Sequence, residues 1–194
     1  ILYPISGSWQ WGGGWLSEMG FSDFAGSTIV HSVGGWAALT GALILGSRKG
    51  KYNTDGTTNI MPGQSIPMAT LGVWILWLGW FGFNGASQLA LGSYIDADAV
   101  ATIFANTSMA AAGGVMGAMI LSRLIYGKTD ISATLNGAIA GLVSITAEPL
   151  TPVIGEAIII GAIGGILCMF GMNLLDKLKI DDVVGAIPAH LIAG

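Results

Sequence analysis

The chain has 194 residues, of which 53% are apolar and only 9% are charged, and its formal net charge is −4. Soluble globular domains carry about 25% charged residues, so this composition indicates an integral membrane protein. It offers no basic patch for nucleic acid, and its one cysteine, Cys168, excludes an internal disulfide framework.

The first informative string, Trp11-Gly-Gly-Gly-Trp15, lies ahead of the first apolar segment and outside the membrane. An aromatic face near the mouth of a pore attracts a cation that is losing its water, so Trp11 is a candidate binding residue. The alternative is an ordinary tryptophan of the membrane–water interface, where this residue type is enriched. The sequence leaves both interpretations open.

The first predicted span, 24–46, follows Asp23 and contains His31, one of only two histidines. Aspartate is favoured at a helix N-cap, where its carboxylate accepts hydrogen bonds from free backbone N–H groups. Asp23 is therefore predicted to cap this helix at the outer face. Its charge would also favour the approach of a cation.

The second predicted span is 66–90. Four of its residues follow the spacing i, i+3, i+4, i+7 of a single helical stripe: Trp80, Phe83, Asn84 and Ser87. The stripe lies toward the outer end of the span, with Ser87 one turn outside Phe83. This order suggests a phenylalanine gate beneath a hydroxyl acceptor, although spacing alone favours ordinary packing.

Three further segments, 99–126, 131–148 and 152–175, are apolar enough to cross a bilayer, for which about 20 residues are needed. The segment 131–148 is short for a span. A sixth span begins near residue 183 and is cut off at Gly194. Since the chain also begins without methionine, we interpret it as an internal piece of a longer protein and as a single partial transmembrane domain. The 31 glycines predict helices that pack backbone to backbone in lipid.

One pattern, D-x2-G-x4-H-x3-G, occurs twice in the chain. It covers 23–35 and 182–194, and it places the only two histidines, His31 and His190, at matching positions. The aspartate of each copy is expected to cap its helix.

The charges predict the orientation of the two copies. All seven basic residues fall in alternate loops: Arg48, Lys49, Lys51, Arg123, Lys128, Lys177 and Lys179. By the positive-inside rule these loops are cytoplasmic, so the first span runs inward and the sixth runs outward. The copies are thus predicted to form an inverted repeat, which is typical of transporters. Eight residues of helix descend about 12 Å, which puts both histidines near the centre of a hydrocarbon layer about 30 Å thick.

A histidine in the membrane core is unfavourable unless it faces a cavity or a polar partner. Burial favours the neutral imidazole, which has one donor and one acceptor nitrogen. Two adjacent neutral rings can share a proton and line a polar path through an apolar pore, and this is the favoured interpretation of His31 and His190. The alternative is a separate helix-linking hydrogen bond for each ring.

Five strings resemble motifs of the ammonium transporters, the Amt/Mep/Rh family, in that family's order: Trp11-Gly-Gly-Gly, Asp23-Phe-Ala-Gly-x4-His31, Gly79-Trp-Phe-Gly-Phe-Asn84, Asn136-Gly-Ala-Ile-Ala-Gly-Leu-Val143 and Gly185-Ala-Ile-Pro-Ala-His190. The resemblance covers essentially the whole chain. It implies an all-α polytopic protein of the plasma membrane, with eleven helices in a five-plus-five inverted repeat and one pore in each subunit of a homotrimer. This chain corresponds to the stretch from just before helix five to the early part of helix ten.

The same resemblance implies roles for individual residues near the outer face. Trp11 and Ser87 match an outer site that recruits ammonium. Asp23 matches an aspartate behind that site, which supports recruitment mainly through structure. Phe83 matches one of two phenylalanines stacked as a gate.

His31 and His190 match the twin histidines that line the family's pore. The implied cargo is ammonium or ammonia, with the lipid bilayer as surroundings, a PII-type protein as regulatory partner, and no cofactor or metal. The chain departs from the family at Ser27, where a second glycine is common, and at Ile187-Pro188-Ala189, which replaces a phenylalanine-glycine lead. Pro188 is expected to bend or loosen the helix near His190.

Other functions stay open at this point. The same membrane fold joined to a signalling domain would be an ammonium sensor, and the Rh branch of the family prefers neutral gases. An intramembrane enzyme is disfavoured, because the sequence has no nucleophile motif such as G-x-S-x-G and no metal-ligand cluster.

Overall fold

Helices and loops, without any β-strand, make up the computed structural model, which describes all 194 residues. In chain order the helices are α1 (Leu2–Ser8), α2 (Trp15–Glu18), π1 (Ser27–Ser32), α3 (Val33–Leu45), α4 (Ile66–Ala86), α5 (Tyr94–Tyr126), α6 (Ile131–Ile145), α7 (Ile154–Lys177) and π2 (Ile187–Ile192). The segments π1 and π2 are π-helical, and π1 continues directly into α3. The predicted all-α fold class is confirmed.

Four stretches are long and apolar enough to cross a membrane: Ser27–Leu45, α4, α5 and α7. The chain is therefore a multi-pass membrane protein, as the composition predicted. Helix α5 begins before the predicted segment 99–126, at Tyr94, because Ser93 and Asp96 form a capping box that starts the helix there.

Helix α6 is shorter than the other long helices, with 15 residues. It rises about 22 Å, which is less than a hydrocarbon layer of about 30 Å. It packs between α5 and α7 and is buried along most of its length, so its surroundings are protein. Its first turn is fixed by Asp130, whose carboxylate accepts a 2.8 Å hydrogen bond from the backbone N–H of Ala133.

The packing of α5, α6 and α7 depends on glycine. Gly161 of α7 lies against the backbone of Ala110 in α5, and Gly165 lies against Gly114. Gly137 of α6 approaches Gly114 from the other side, and a Cβ atom at any of these glycines would overlap the neighbouring backbone. Such contacts allow helix backbones to approach closely in a membrane protein.

Helix α4 packs against this bundle along one side, with Val73 and Trp77 partly buried against the core. Trp80, Asn84 and Gly85 are its buried residues, and most of the remaining helix is exposed. Of the stripe predicted from the sequence, only Trp80 and Asn84 are buried.

Loop 46–65, on the predicted cytoplasmic side, is bound to the segment ahead of π2. The Arg48 guanidinium donates to Asp181 from Nε and Nη2, each at 2.8 Å, and the Arg48 backbone N–H donates to the same carboxylate at 2.9 Å. These hydrogen bonds lower the pKa of Asp181 to about 2, so the carboxylate is charged at neutral pH. Lys51 pairs with Asp176 at 3.1 Å. The chain leading into π2 is thereby held in place.

The glycine contacts predict opposite effects for two alanine substitutions in α7 of the full-length protein. Gly161→Ala should lower the free energy of unfolding by about 1–3 kcal/mol, because its methyl group overlaps the carbonyl of Ala110. Gly155→Ala, where nothing lies near the added atom, should change it little or raise it by up to about 1 kcal/mol. Unfolding in detergent micelles measures both, and equal stability of the two variants would contradict the packing.

Candidate functional site

The two histidines meet inside the bundle. Nδ1 of His31 lies 3.1 Å from Nδ1 of His190, and the ring centroids are 5.1 Å apart with the planes inclined by 19°. A neutral imidazole carries its proton on one nitrogen, so one ring donates through Nδ1 and the other accepts there. The two rings consequently hold opposite tautomers while both are neutral.

Asp23 places His31 by starting the segment π1. Its Oδ1 accepts from the backbone N–H groups of Gly26 and Ser27, and its Oδ2 accepts from those of Thr28 and Ile29, all at 2.8–2.9 Å. The residue is only 2% exposed. Because four donors occupy the acceptor positions of the carboxylate, Asp23 acts on the site through the helix that it caps.

Asp182 places His190 in the same way. Its carboxylate accepts from the backbone N–H groups of Gly185, Ala186 and Ile187, at 3.0, 3.1 and 2.7 Å. Pro188 lies in the first turn of π2, where a missing N–H removes no helical hydrogen bond. Pro188 therefore begins this segment and does not interrupt it, in contrast to the bend expected from the sequence.

The first glycine of each repeat makes the turn between cap and helix. Gly26 has a φ of +110° and Gly185 a φ of +82°, which lie in the left-handed region that side chains with a Cβ disfavour. The spacing D-x2-G is therefore the local sequence of a carboxylate-capped turn.

The last glycine of each repeat brings the two copies together. Gly35 lies against the backbone of Leu191, the residue after the second histidine. Gly194 lies against the backbone of Ser27 and Ser32, the first and last residues of π1. The last glycine of each copy thus contacts the helical segment of the other copy.

Two aromatic rings of α4 cover His31. Trp80 stacks on it with ring centroids 4.9 Å apart and planes 12° apart, and Phe83 lies 5.3 Å away at a tilt of 36°. Phe83 is 38% exposed, whereas Trp80 is 6% exposed. The Nε2 atom of His31 is buried without a hydrogen-bond partner.

The two residues predicted for an outer site are not bonded to each other. The Trp11 indole N–H donates to the Asp23 carbonyl at 2.8 Å, and the Ser87 hydroxyl donates to the Phe83 carbonyl at 2.8 Å. Trp11 is 43% exposed, so the face of its ring is the part left for a ligand. Ser87 has used its only hydrogen, so its oxygen is left as an acceptor.

Sequence reasoning missed the role of two residues at this site. The predicted stripe includes Trp80, but spacing does not indicate that its ring stacks on His31. The Thr146 hydroxyl accepts a 2.8 Å hydrogen bond from the Trp80 indole N–H. No sequence pattern predicts this role, because a single hydroxyl at the end of an apolar segment is common. No group of three or more His, Cys, Asp or Glu side chains that could hold a metal ion occurs in the chain.

Comparison with known families gives one match over the whole chain. The family model described as Ammonium Transporter Family matches residues 1–194. Ammonium transporter Amt2 of Archaeoglobus fulgidus is 44% identical over 204 residues, an alignment that covers 100% of this chain and 43% of the relative. Putative ammonium transporter sll1017 of Synechocystis sp. is 45% identical over 196 residues, an alignment that covers 100% of this chain and 44% of that relative. The chain spans less than half the length of these curated relatives.

Solved structures that match the chain over its whole length have names of the same kind. A structure named Sensor Amt Protein superposes with a TM-score of 0.94 at 42% identity, over 100% of this chain and 48% of that chain. The crystal structure of Candida albicans Mep2 superposes with a TM-score of 0.88 at 33% identity, over 100% of this chain and 42% of that chain.

The two caps predict a ranking of aspartate substitutions. Asp23→Ala should lower the free energy of unfolding of the full-length protein by about 2–3 kcal/mol, because it leaves four N–H groups unpaired in a buried place. Asp182→Ala should lower it by about 1–2 kcal/mol, since Asp182 is only half-buried.

Asp98→Ala, at an exposed position of α5, is the matched control and should stay within about 0.5 kcal/mol of the parent. Chemical unfolding in mixed micelles measures all three. If Asp23→Ala proved as stable as the control, the carboxylate would not be the cap of π1.

Proposed function

The chain belongs to the ammonium transporter family, and on that premise we propose that the full-length protein moves ammonium or ammonia across the membrane along His31 and His190. The observation that carries the proposal is the 3.1 Å contact between the two Nδ1 atoms beside an unpaired, buried Nε2 of His31. This arrangement offers a small hydrogen-bonding molecule a polar line through apolar surroundings.

The chemistry of the cargo fits such a path. Ammonium has N–H donors and can give up a proton, whereas sodium and potassium cannot. An apolar passage disfavours any ion that stays charged, because burial of an unpaired charge is very unfavourable. A path that admits only the neutral form therefore selects ammonium among the common monovalent cations.

The outer residues supply the recruitment step of the proposal. The exposed ring face of Trp11 attracts a cation that is losing its water, and the Ser87 oxygen, whose hydrogen is used on the Phe83 carbonyl, accepts an N–H of ammonium. The cargo then passes Phe83, which acts as the gate above His31. Asp23 supports recruitment through the helix that it caps.

The histidine pair also gives the released proton a route. When His31 holds its proton on Nδ1, its Nε2 can accept a proton from ammonium. The Nδ1 proton then moves to Nδ1 of His190, and His190 releases the proton on its own Nε2. Both tautomers are reversed after one transfer, so a second transfer in the same direction requires a reset of the rings.

Architecture and partners beyond this chain are part of the same proposal. The contacts of Gly35 with π2 and of Gly194 with π1 support an inverted repeat. The family resemblance supports a homotrimer with a pore in each subunit, and regulation by a PII-type protein.

A second candidate function is an ammonium sensor. It is favoured by one observation, which is the likeness to the structure named Sensor Amt Protein, with a TM-score of 0.94. A sensor would bind ammonium without appreciable flux, so flux into proteoliposomes distinguishes the two functions.

Substitution of the histidines tests the transport route. His31→Leu and His190→Leu, each in the full-length protein, should reduce ammonium-dependent current by about tenfold or more, because loss of a buried hydrogen-bonding group is equivalent to at least one decade in rate. Current and tracer flux are measured together on proteoliposomes.

Thr40→Leu is the control, since it makes the same polar-to-apolar change on α3 at an exposed position whose hydroxyl bonds only its own helix. Unchanged current and unchanged rejection of potassium in both histidine variants would contradict the route. Binding without flux in the parent protein would instead favour the sensor.

A further inference from the structure

We propose that Thr146 is a positioning residue for the histidine pair, which it serves by fixing both the ring that stacks on His31 and the segment that carries His31. The proposal deepens the transport function and rests on it for one of its two readouts. Thr146 follows the last residue of α6 and is fully buried.

The hydroxyl of Thr146 orients Trp80. The indole N–H, the only polar group of that side chain, donates to Thr146 Oγ1 at 2.8 Å. A directional bond at the edge of a ring restricts its rotation, so the plane of Trp80 is set by the position of Oγ1. Because His31 stacks on Trp80 with planes 12° apart, the plane of the histidine follows that of the indole.

The backbone of Thr146 anchors the other member of the stack. Its carbonyl accepts a 3.0 Å hydrogen bond from the N–H of Ala25, and the carbonyl of Ala147 accepts a 2.7 Å bond from the N–H of Phe24. Phe24 and Ala25 follow Asp23 in the turn that begins π1. One residue therefore holds Trp80 through its hydroxyl and the start of the His31 segment through its carbonyl.

The direction of the Thr146 hydroxyl is itself fixed. The hydroxyl has one hydrogen, and its oxygen lies 2.6 Å from the Leu142 carbonyl but 3.2 Å from Oδ1 of Asn84. The shorter contact takes the hydrogen, which leaves the lone pairs directed to the indole N–H. Asn84 in turn donates to the hydroxyl of Thr107 at 3.1 Å. The Thr146 oxygen is the one acceptor that the structure gives the Trp80 N–H.

Two substitutions separate the hydroxyl from the rest of the residue. Thr146→Val keeps the shape and the backbone carbonyl but removes the acceptor, and it should reduce ammonium flux by about tenfold in the full-length protein. Thr146→Ser keeps the acceptor, and its flux should stay within about twofold of the parent. Thr134→Val is the control on the same helix, because the Thr134 hydroxyl bonds only the Asp130 carbonyl, and it should leave flux unchanged.

Trp80→Phe shows whether Thr146 acts through the indole. Phenylalanine keeps an aromatic ring but has no N–H, so Thr146→Val should add no further loss in the Trp80→Phe background. Losses that multiply in the double variant would overturn the proposal, and so would parental flux in Thr146→Val. If Thr146→Val does not fold, Thr146→Cys, with a weak acceptor of similar size, should show intermediate flux, and parental flux there would equally overturn the proposal.

A second readout does not depend on transport. The 15N–1H signal of the Trp80 indole, assigned by its loss in Trp80→Phe, should shift in Thr146→Val and stay in place in Thr146→Ser and Thr134→Val. An unshifted signal in Thr146→Val would overturn the positioning role. If the signal shifts in Thr146→Val but the parent protein conducts no ammonium, Thr146 still positions Trp80. That result would contradict only the transport function.

Discussion

Two imidazole nitrogens that lie 3.1 Å apart in the interior of a membrane protein have to share one proton. Such a hydrogen bond weakens steeply when its angle or length changes, so both rings must be held at a fixed distance and orientation. His31 lies in π1 and His190 in π2, so the distance between the rings depends on how these two segments are held relative to each other. Three features hold the two segments: the aspartate caps, the glycine contacts between the two copies, and the buried Thr146 hydroxyl.

The caps solve a problem that arises where a helix begins in a buried place. The first N–H groups of a helix have no partner within the helix, and where they are buried they cannot rely on water. A carboxylate accepts several N–H bonds at once and makes stronger bonds than a neutral acceptor. Asp23 and Asp182 use that capacity at the starts of π1 and π2, and glycine at the third position after each aspartate allows the turn. The D-x2-G-x4-H-x3-G pattern thus describes a capped turn followed by a helical segment that fixes the position of one histidine.

Much of the fold could be predicted because hydropathy reports directly on the segments that lipid can surround. The long helices lie close to the predicted segments, and the repeat placed both histidines together. The side-chain bonds of the site could not be predicted in this way. Trp80 bonds a hydroxyl 66 residues away, and no periodicity connects two such positions. Trp11 likewise directs its N–H to the Asp23 carbonyl, and composition gives no sign of that direction.

The shared proton is measured most directly by nitrogen NMR of the full-length protein in lipid bilayers, with 15N-labelled histidine and His31 and His190 assigned by substitution. At neutral pH we expect two neutral rings with opposite tautomers, so that one Nδ1 is protonated and the other is not, with coupling between the two nitrogens. The same tautomer in both rings, or two unprotonated Nδ1 atoms, would contradict the contact on which the proposed path depends.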